Sequence, residues 1–241
     1  MARYGLRLTA LTAAAGLSVC APLVHALNVT EVFDGAYFNP AQSGRGVLVD
    51  VIPGSLEAAD PPLHAEGVEQ AAALDARLSG KQIHAVYASH LTRAVQTATP
   101  LADRRGLTVG IFPELEEIRL GEWGNGEFRR RAAMRDPEWV AWSRTGRWDG
   151  ITGCEGDEAF RSRVATAVES LATRHRDETI AIVAHGGSIN AYLAEVLGID
   201  RSLWMTVENT SITVVRVADH GHTVVTVNDC HHLFDTVIGK R

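Results

Sequence analysis

The sequence predicts a three-layer α/β/α sandwich on a mostly parallel central sheet, formed as a single domain over residues 27–241. Two observations lead there. Short apolar runs alternate with stretches of helical period from Gly67 to Leu197, which is how a parallel sheet covered by helices on both faces is written. The polar residues with chemical potential follow directly after two of those runs, where such sheets hold their ligands.

Each element has its own reason. In Gly67–Leu78, Val68, Ala71, Ala72, Leu74 and Leu78 recur at helical spacing, and Gly80 stops the helix. Ile83–Tyr87 reads as a short buried strand, Thr92–Arg105 as a helix and Leu107–Phe112 as a strand. Phe160–Arg174 is an amphipathic helix, Thr179–Val183 a buried strand and Ser188–Leu197 a helix. Ser211–Val217 and His222–Val227 alternate like paired edge strands. From Leu27 to Pro62 the chain is irregular, with one apolar run at Val47–Ile52.

The 241 residues are 46% hydrophobic and 22% charged, which suits one sizeable core. A net charge of −6 argues against nucleic acid as a partner, since such surfaces need a positive footprint. The densest basic stretch, Phe128–Arg135, reads as a solvated helix face. Arg3 and Arg7 flank an apolar stretch, Leu8–Val24, followed by a small-x-small cleavage site at Val24-His25-Ala26. Residues 1–26 are therefore expected to be a signal peptide, the mature chain to be exported, and no stable membrane span to remain. Cys154 and Cys230 would survive cleavage, either as one disulfide or as two free thiols.

Three segments carry the chemistry. In Tyr87–Ala98 (YASHLTRAVQTA), Arg93 sits in the first turn of a helix, where free backbone donors and a guanidinium fork together favour phosphate. Pro113–Glu127 (PELEEIRLGEWGNGE) is an acidic and aromatic loop after a strand. In the third segment the strand ending at Ala184 leads straight into His185, Gly186 and Gly187.

Taken together the chain resembles the histidine phosphatase superfamily, the phosphoglycerate-mutase-like proteins. The resemblance rests on Ser89, Leu91, Arg93, Ala94, Gln96, Thr97 and Ala98; on Leu115, Glu116, Glu117, Ile118, Gly121 and Trp123; and on the pair His185-Gly186. Pro61–Ala71 is similar to that family's helix start, with His64 in place of threonine, and Gly153–Gly156 to its glycine-glycine-glutamate-serine turn. The resemblance implies that Arg93 and a protonated His185 bind phosphoryl oxygens. It implies that Glu117 protonates the leaving alcohol. It points to a small phosphorylated or anionic partner and to no cofactor.

One part of the pattern is missing. The family's nucleophile is a histidine in an arginine-histidine-glycine motif upstream of the Pro61 segment. Between Leu27 and Leu63 this chain has no histidine, and its only arginine is Arg45. In the better placement of the motif, Asp34 replaces the arginine and Gly35 the histidine; in the other, Pro53 falls where the histidine belongs. Exchanging arginine for aspartate removes an attraction and adds a repulsion, each on the order of 4 kcal/mol at ~4 Å and an effective dielectric near 20. Three readings follow. The chain is a degenerate member of the phosphomonoester-hydrolase lineage, a phosphomonoesterase with a replacement nucleophile such as Asp34, or an organic-anion binding protein.

Two further features have plainer explanations. In Asn228–Phe234 the adjacent His231 and His232 point to opposite faces of an extended segment, so they do not form a metal site. Trp139, Trp142 and Trp148 form either an aromatic lid over the site or a packed satellite core.

Overall fold

The computed structural model describes residues 60–219 and 221–233. The signal segment 1–26 and the motif positions Asp34, Gly35 and Pro53 lie outside the described residues.

Three strands, β1 (Ala85–Ala88), β2 (Val109–Ile111) and β3 (Ile180–Val183), form a parallel sheet in the order β2-β1-β3. In register, Ala88 lies beside Val183 and beside Ile111, so the three carboxyl ends are level. The runs AVYA and IAIV are apolar on both faces, as strands covered on both sides must be. A second sheet pairs β4 (Ile212–Ala218) with β5 (Gly221–Asp229) antiparallel, as the alternation predicted.

Helices α1 (Ala65–Arg77) and α2 (Thr92–Asp103) pack together, and their ends are tied by a buried carboxylate. Asp75 of α1 takes Arg105 Nη1 at 3.2 Å and Arg104 Nε at 2.5 Å. Val68, counted in the apolar stripe from sequence, faces outward, while Gly67, Gln70 and Ala71 face in. The helical period is right and its phase differs by about one residue, because Gly67 lets Leu63 pack against the helix backbone.

Two short helices interrupt the segment before Gly153: α3 (Glu127–Ala133) and α4 (Pro137–Ser143). Asp136 caps α4 by accepting from the amides of Glu138 and Trp139, with Pro137 at the first helical position. Trp123, Phe128, Trp139, Trp142, Trp148 and Phe160 pack here as one cluster, all 6% exposed or less. The tryptophans are thus a satellite core and not a lid. Arg130 pairs with Glu127 on its own helix, and Arg131 pairs with Glu127 and with Asp136 and Glu138 at the start of α4. The segment's neck is closed by two glycines: a Cβ on Gly121 would lie 2.2 Å from the carbonyl carbon of Gly153.

The long helix α5 (Asp157–Arg174) buries Phe160, Val164, Ala167 and Leu171, and α6 (Gly186–Leu197) follows β3 directly. Cys154 and Cys230 are free thiols. In the Asn228–Leu233 segment, Asp229 pairs with Arg77 and His232 meets the Thr210 hydroxyl, so the cluster serves packing between elements. No helix among the described residues is long and apolar enough to cross a membrane.

Candidate active site

Because β1 and β3 are neighbours, the residues that follow them meet at the carboxyl edge of the sheet. Ser89 Oγ, after β1, lies 2.6 Å from His185 Nε2, after β3, and both residues are buried. Ser89 also accepts from the Leu91 amide at 3.4 Å, which fixes its hydroxyl. His185 occupies the N-cap position of α6 but makes no side-chain cap; its ring is turned to Ser89 instead.

Burial, and then the positive charges of Arg93, His90 and Arg163, depress the His185 imidazole to about 3. Burial and those charges favour the neutral imidazole over the protonated form that the resemblance implies. An arriving dianion reverses the argument, because it supplies the counter-charge that the apolar surroundings lack.

Glu117 reaches the same cleft from the loop after β2. Its Oε2 accepts from the Gly187 amide at 2.9 Å and its Oε1 from the Ile118 amide at 2.9 Å. Burial raises its proton affinity, and this outweighs the opposing pull of those two amides and of Arg93 and Arg163. A shift toward the protonated form is the direction that general-acid work requires. Gly187 makes the seat possible. A Cβ there would stand 2.1 Å from Glu117 Oε1, whereas one on Gly186 would meet only Val207 at 3.7 Å. Of the two glycines after His185, the second is the one the acid demands.

Arg93 lines the same cavity as Glu117 and His185 and acts electrostatically on both. Its side chain is 14% exposed and its Nη1 lies 3.6 Å from Asp60 Oδ1. The helix end expected to receive phosphate is partly occupied by this aspartate: Asp60 accepts from the Thr92 amide at 2.8–2.9 Å and from the Thr92 hydroxyl at 2.7 Å. The physical reason is the same as for phosphate, a carboxylate satisfying free donors at a positive helix end. The α2 amide of Thr92 is thus taken by Asp60 and does not face a ligand.

The structure thus brings Arg93, Glu117 and His185 together. Sequence reasoning missed several residues that hold them. Ser188, buried in the first turn of α6, donates to the carbonyl of Leu115 at 3.2 Å or of Glu116 at 2.9 Å. Asn190 clips the Trp204-Met205 segment to α6 with bonds of 3.0–3.3 Å. Arg163 and Glu155 form an ion pair under the Glu117 loop. Glu155 stood in the turn that resembles the family's glycine-glycine-glutamate-serine motif; Ser188, Asn190 and Arg163 had only polar character on a helix to mark them.

Comparison with known proteins agrees with this geometry. The chain is 29% identical over 170 residues to adenosylcobalamin/alpha-ribazole phosphatase of Escherichia coli K12, covering 66% of this chain and 84% of that one. It is 32% identical over 152 residues to glucosyl-3-phosphoglycerate phosphatase of Mycolicibacterium vanbaalenii, covering 60% and 67%. Among solved structures, YhfR of Bacillus stearothermophilus superposes with a TM-score of 0.66 at 26% identity, covering 72% of this chain and 88% of that one. A family model described as histidine phosphatase superfamily (branch 1) matches residues 56–230, and the chain belongs to that family.

Proposed function

We propose that the protein binds a small phosphomonoester in this cleft and that its own chain no longer supports the phosphohistidine route of its lineage. Arg93 and His185 hold the phosphoryl oxygens, and Glu117 stands ready to give its proton to the leaving oxygen. The observation that carries the binding half is the convergence of His185, Arg93 and Glu117 on one cavity at the level ends of β1 and β3. A phosphoryl group spreads negative charge over its oxygens, and a fixed guanidinium with an imidazole that gains a proton matches it. The named relatives are phosphatases of small phosphorylated molecules, which supports the same substrate class.

The second half rests on the sequence. No histidine occurs between Leu27 and Leu63, and Asp34 and Gly35, or Pro53, stand at the motif positions. Glycine cannot accept a phosphoryl group. The leading residues 1–26 further suggest that the protein acts outside the cytoplasm after export.

Hydrolysis of an aryl phosphate by the wild-type chain and by the Asp34→Arg/Gly35→His double variant tests the reading. The wild type is expected to bind inorganic phosphate in calorimetry without turning the ester over, and the double variant to gain turnover. Strong wild-type turnover that disappears in His185→Ala would show an intact catalyst and end the degenerate reading. Absence of any heat with phosphate or sulfate would end the binding half.

A further inference from the structure

The loop that carries Glu117 has little to hold it. Between the single 3-10 turns Pro113–Leu115 and Gly121–Trp123 it forms no helix or strand, so its carbonyls need partners from elsewhere. We propose that Arg163 and Glu155 are positioning residues that hold Glu117 in the cleft; this rests on the general-acid reading of Glu117.

The guanidinium of Arg163, on α5, takes three of those carbonyls, beside the Ser188 hydroxyl on Leu115 and Glu116. Its Nη1 donates to the carbonyls of Glu114 at 2.8 Å and Glu116 at 3.2 Å. Its Nη2 donates to the carbonyl of Glu117 at 3.4 Å and to Glu155 Oε1 at 2.5 Å, and its Nε to Glu155 Oε2 at 2.9 Å. That accounts for all five N–H groups of an arginine, a pattern the three donors of a lysine cannot reproduce. The Phe160 ring supports the guanidinium face from 5.2 Å.

Glu155 completes the hold from the other side. It accepts from the Arg119 amide at 3.0 Å, and its own amide donates to the Arg119 carbonyl at 3.1 Å. The two side chains are 13% and 12% exposed, so the pair is buried and removing one partner strands the other. Neither residue belongs to the oxygen-binding set. Arg163 nonetheless acts on the reacting groups through charge: together with Arg93 from α2 it favours ionised Glu117, and it disfavours protonated His185.

The test follows the Glu117 carboxyl by carbon NMR against pH in the full chain, alongside calorimetry with inorganic phosphate. In Arg163→Met the Glu117 midpoint is expected to rise, with proton affinity up roughly three- to tenfold, about 0.5–1 pH unit. Phosphate affinity should change less than about threefold, against a loss of at least about tenfold in Arg93→Met. Glu155→Gln leaves the Arg163 charge uncompensated, so the midpoint should move the opposite way, downward. Arg163→Lys keeps charge without the fork; it should hold the midpoint near wild type while shifting the Gly187 amide resonance.

An unchanged Glu117 midpoint in both Arg163→Met and Glu155→Gln, with only the melting temperature lowered, would overturn the proposal. So would a phosphate loss in Arg163→Met equal to that of Arg93→Met. Should Arg163→Met not fold, the Glu155→Gln and Arg163→Lys results decide by the same signs. The general-acid reading is separated by adding Glu117→Gln to the Asp34→Arg/Gly35→His variant. If hydrolysis there is indifferent to Glu117, that reading fails while the positioning result stands on its titration.

Discussion

Trp139 and Phe160 in the aromatic cluster, and Ser89, Ser188 and Asn190 around the cleft, are buried to the same depth, at 0 to 1% exposure. The means differ. The aromatic rings meet at centroid distances of 4.6–6.3 Å and at varied angles, from 37° between Trp142 and Trp148 to 87° between Phe128 and Trp142. Their attraction is broad in direction, so small displacements cost little and lost volume costs much. Around the cleft the three buried polar side chains have particular partners: Ser89 has His185, Ser188 has the Leu115 and Glu116 carbonyls, and Asn190 has Trp204 and Met205. Hydrogen bonds weaken steeply with angle and distance, so here displacement is costly. The first region supplies stability, and the second converts that stability into fixed geometry.

The largest effect should come from emptying the aromatic cluster. Trp139→Ala is expected to lower unfolding free energy by roughly 3–5 kcal/mol in urea titrations, while phosphate affinity per folded molecule stays as it was. A matching loss of affinity would erase the distinction between the regions.

Gly187→Ala probes the opposite case, a single methyl group in the cleft. Since its Cβ would stand 2.1 Å from Glu117 Oε1, the carboxyl should leave its seat. Its carbon resonance should then titrate near the ordinary carboxylate range of about 4.3, with a stability cost below that of Trp139→Ala. If Glu117 keeps its raised midpoint, the loop is more compliant than its hydrogen bonds imply.

His185→Asn separates pH dependence from packing. The folded imidazole titrates near 3 against an ordinary 6.5, so it binds fewer protons folded than unfolded. Its contribution is fully present above pH 6.5 and is lost as the pH falls toward 3, amounting to a few kcal/mol in order of magnitude. Acidifying from pH 7 to pH 4 should therefore weaken the wild type more than His185→Asn. Parallel declines would mean that the imidazole is solvated in the folded chain.

The smallest signal sharpens the same point. Sulfate, which does not itself titrate near neutrality, should bind at pH 7.5 with uptake of a fraction of a proton, read as a calorimetric heat that varies with the buffer's ionisation enthalpy. His185→Asn should flatten that dependence. A buffer-independent heat in the wild type would assign the ligand's charge to Arg93 alone.

Much of the fold was legible in the sequence. The strand IAIV and the helix after it, or the run before Ser89, announce themselves because apolar periodicity is a local property. His185, Arg93 and Glu117 could be named because their local runs resemble those of a known family, in segments that follow strands. The supporting residues were not legible, for a physical reason. Arg163 serves carbonyls 46 to 49 residues upstream, and nothing in its helix marks the contact. Asp60 was passed over because its partner, the Thr92 amide, lies 32 residues away. The phase of α1 differs at Val68 because Gly67, which has no apolar side chain to mark it, lies on the packed face.

The meeting of Gly121 and Gly153 has a consequence for redesign. The chain leaves the main body at one point and returns to it at almost the same point, with the Glu122 amide donating to the Thr152 carbonyl at 2.9 Å across the opening. What is strung between those two glycines is closed at its neck but not separate from the body, because Trp123, Phe128, Trp139, Trp142 and Trp148 pack with Phe160 and Val164 of α5 and Ala191 and Tyr192 of α6. A replacement insert would have to restore that buried face and put no side chain where the two backbones touch.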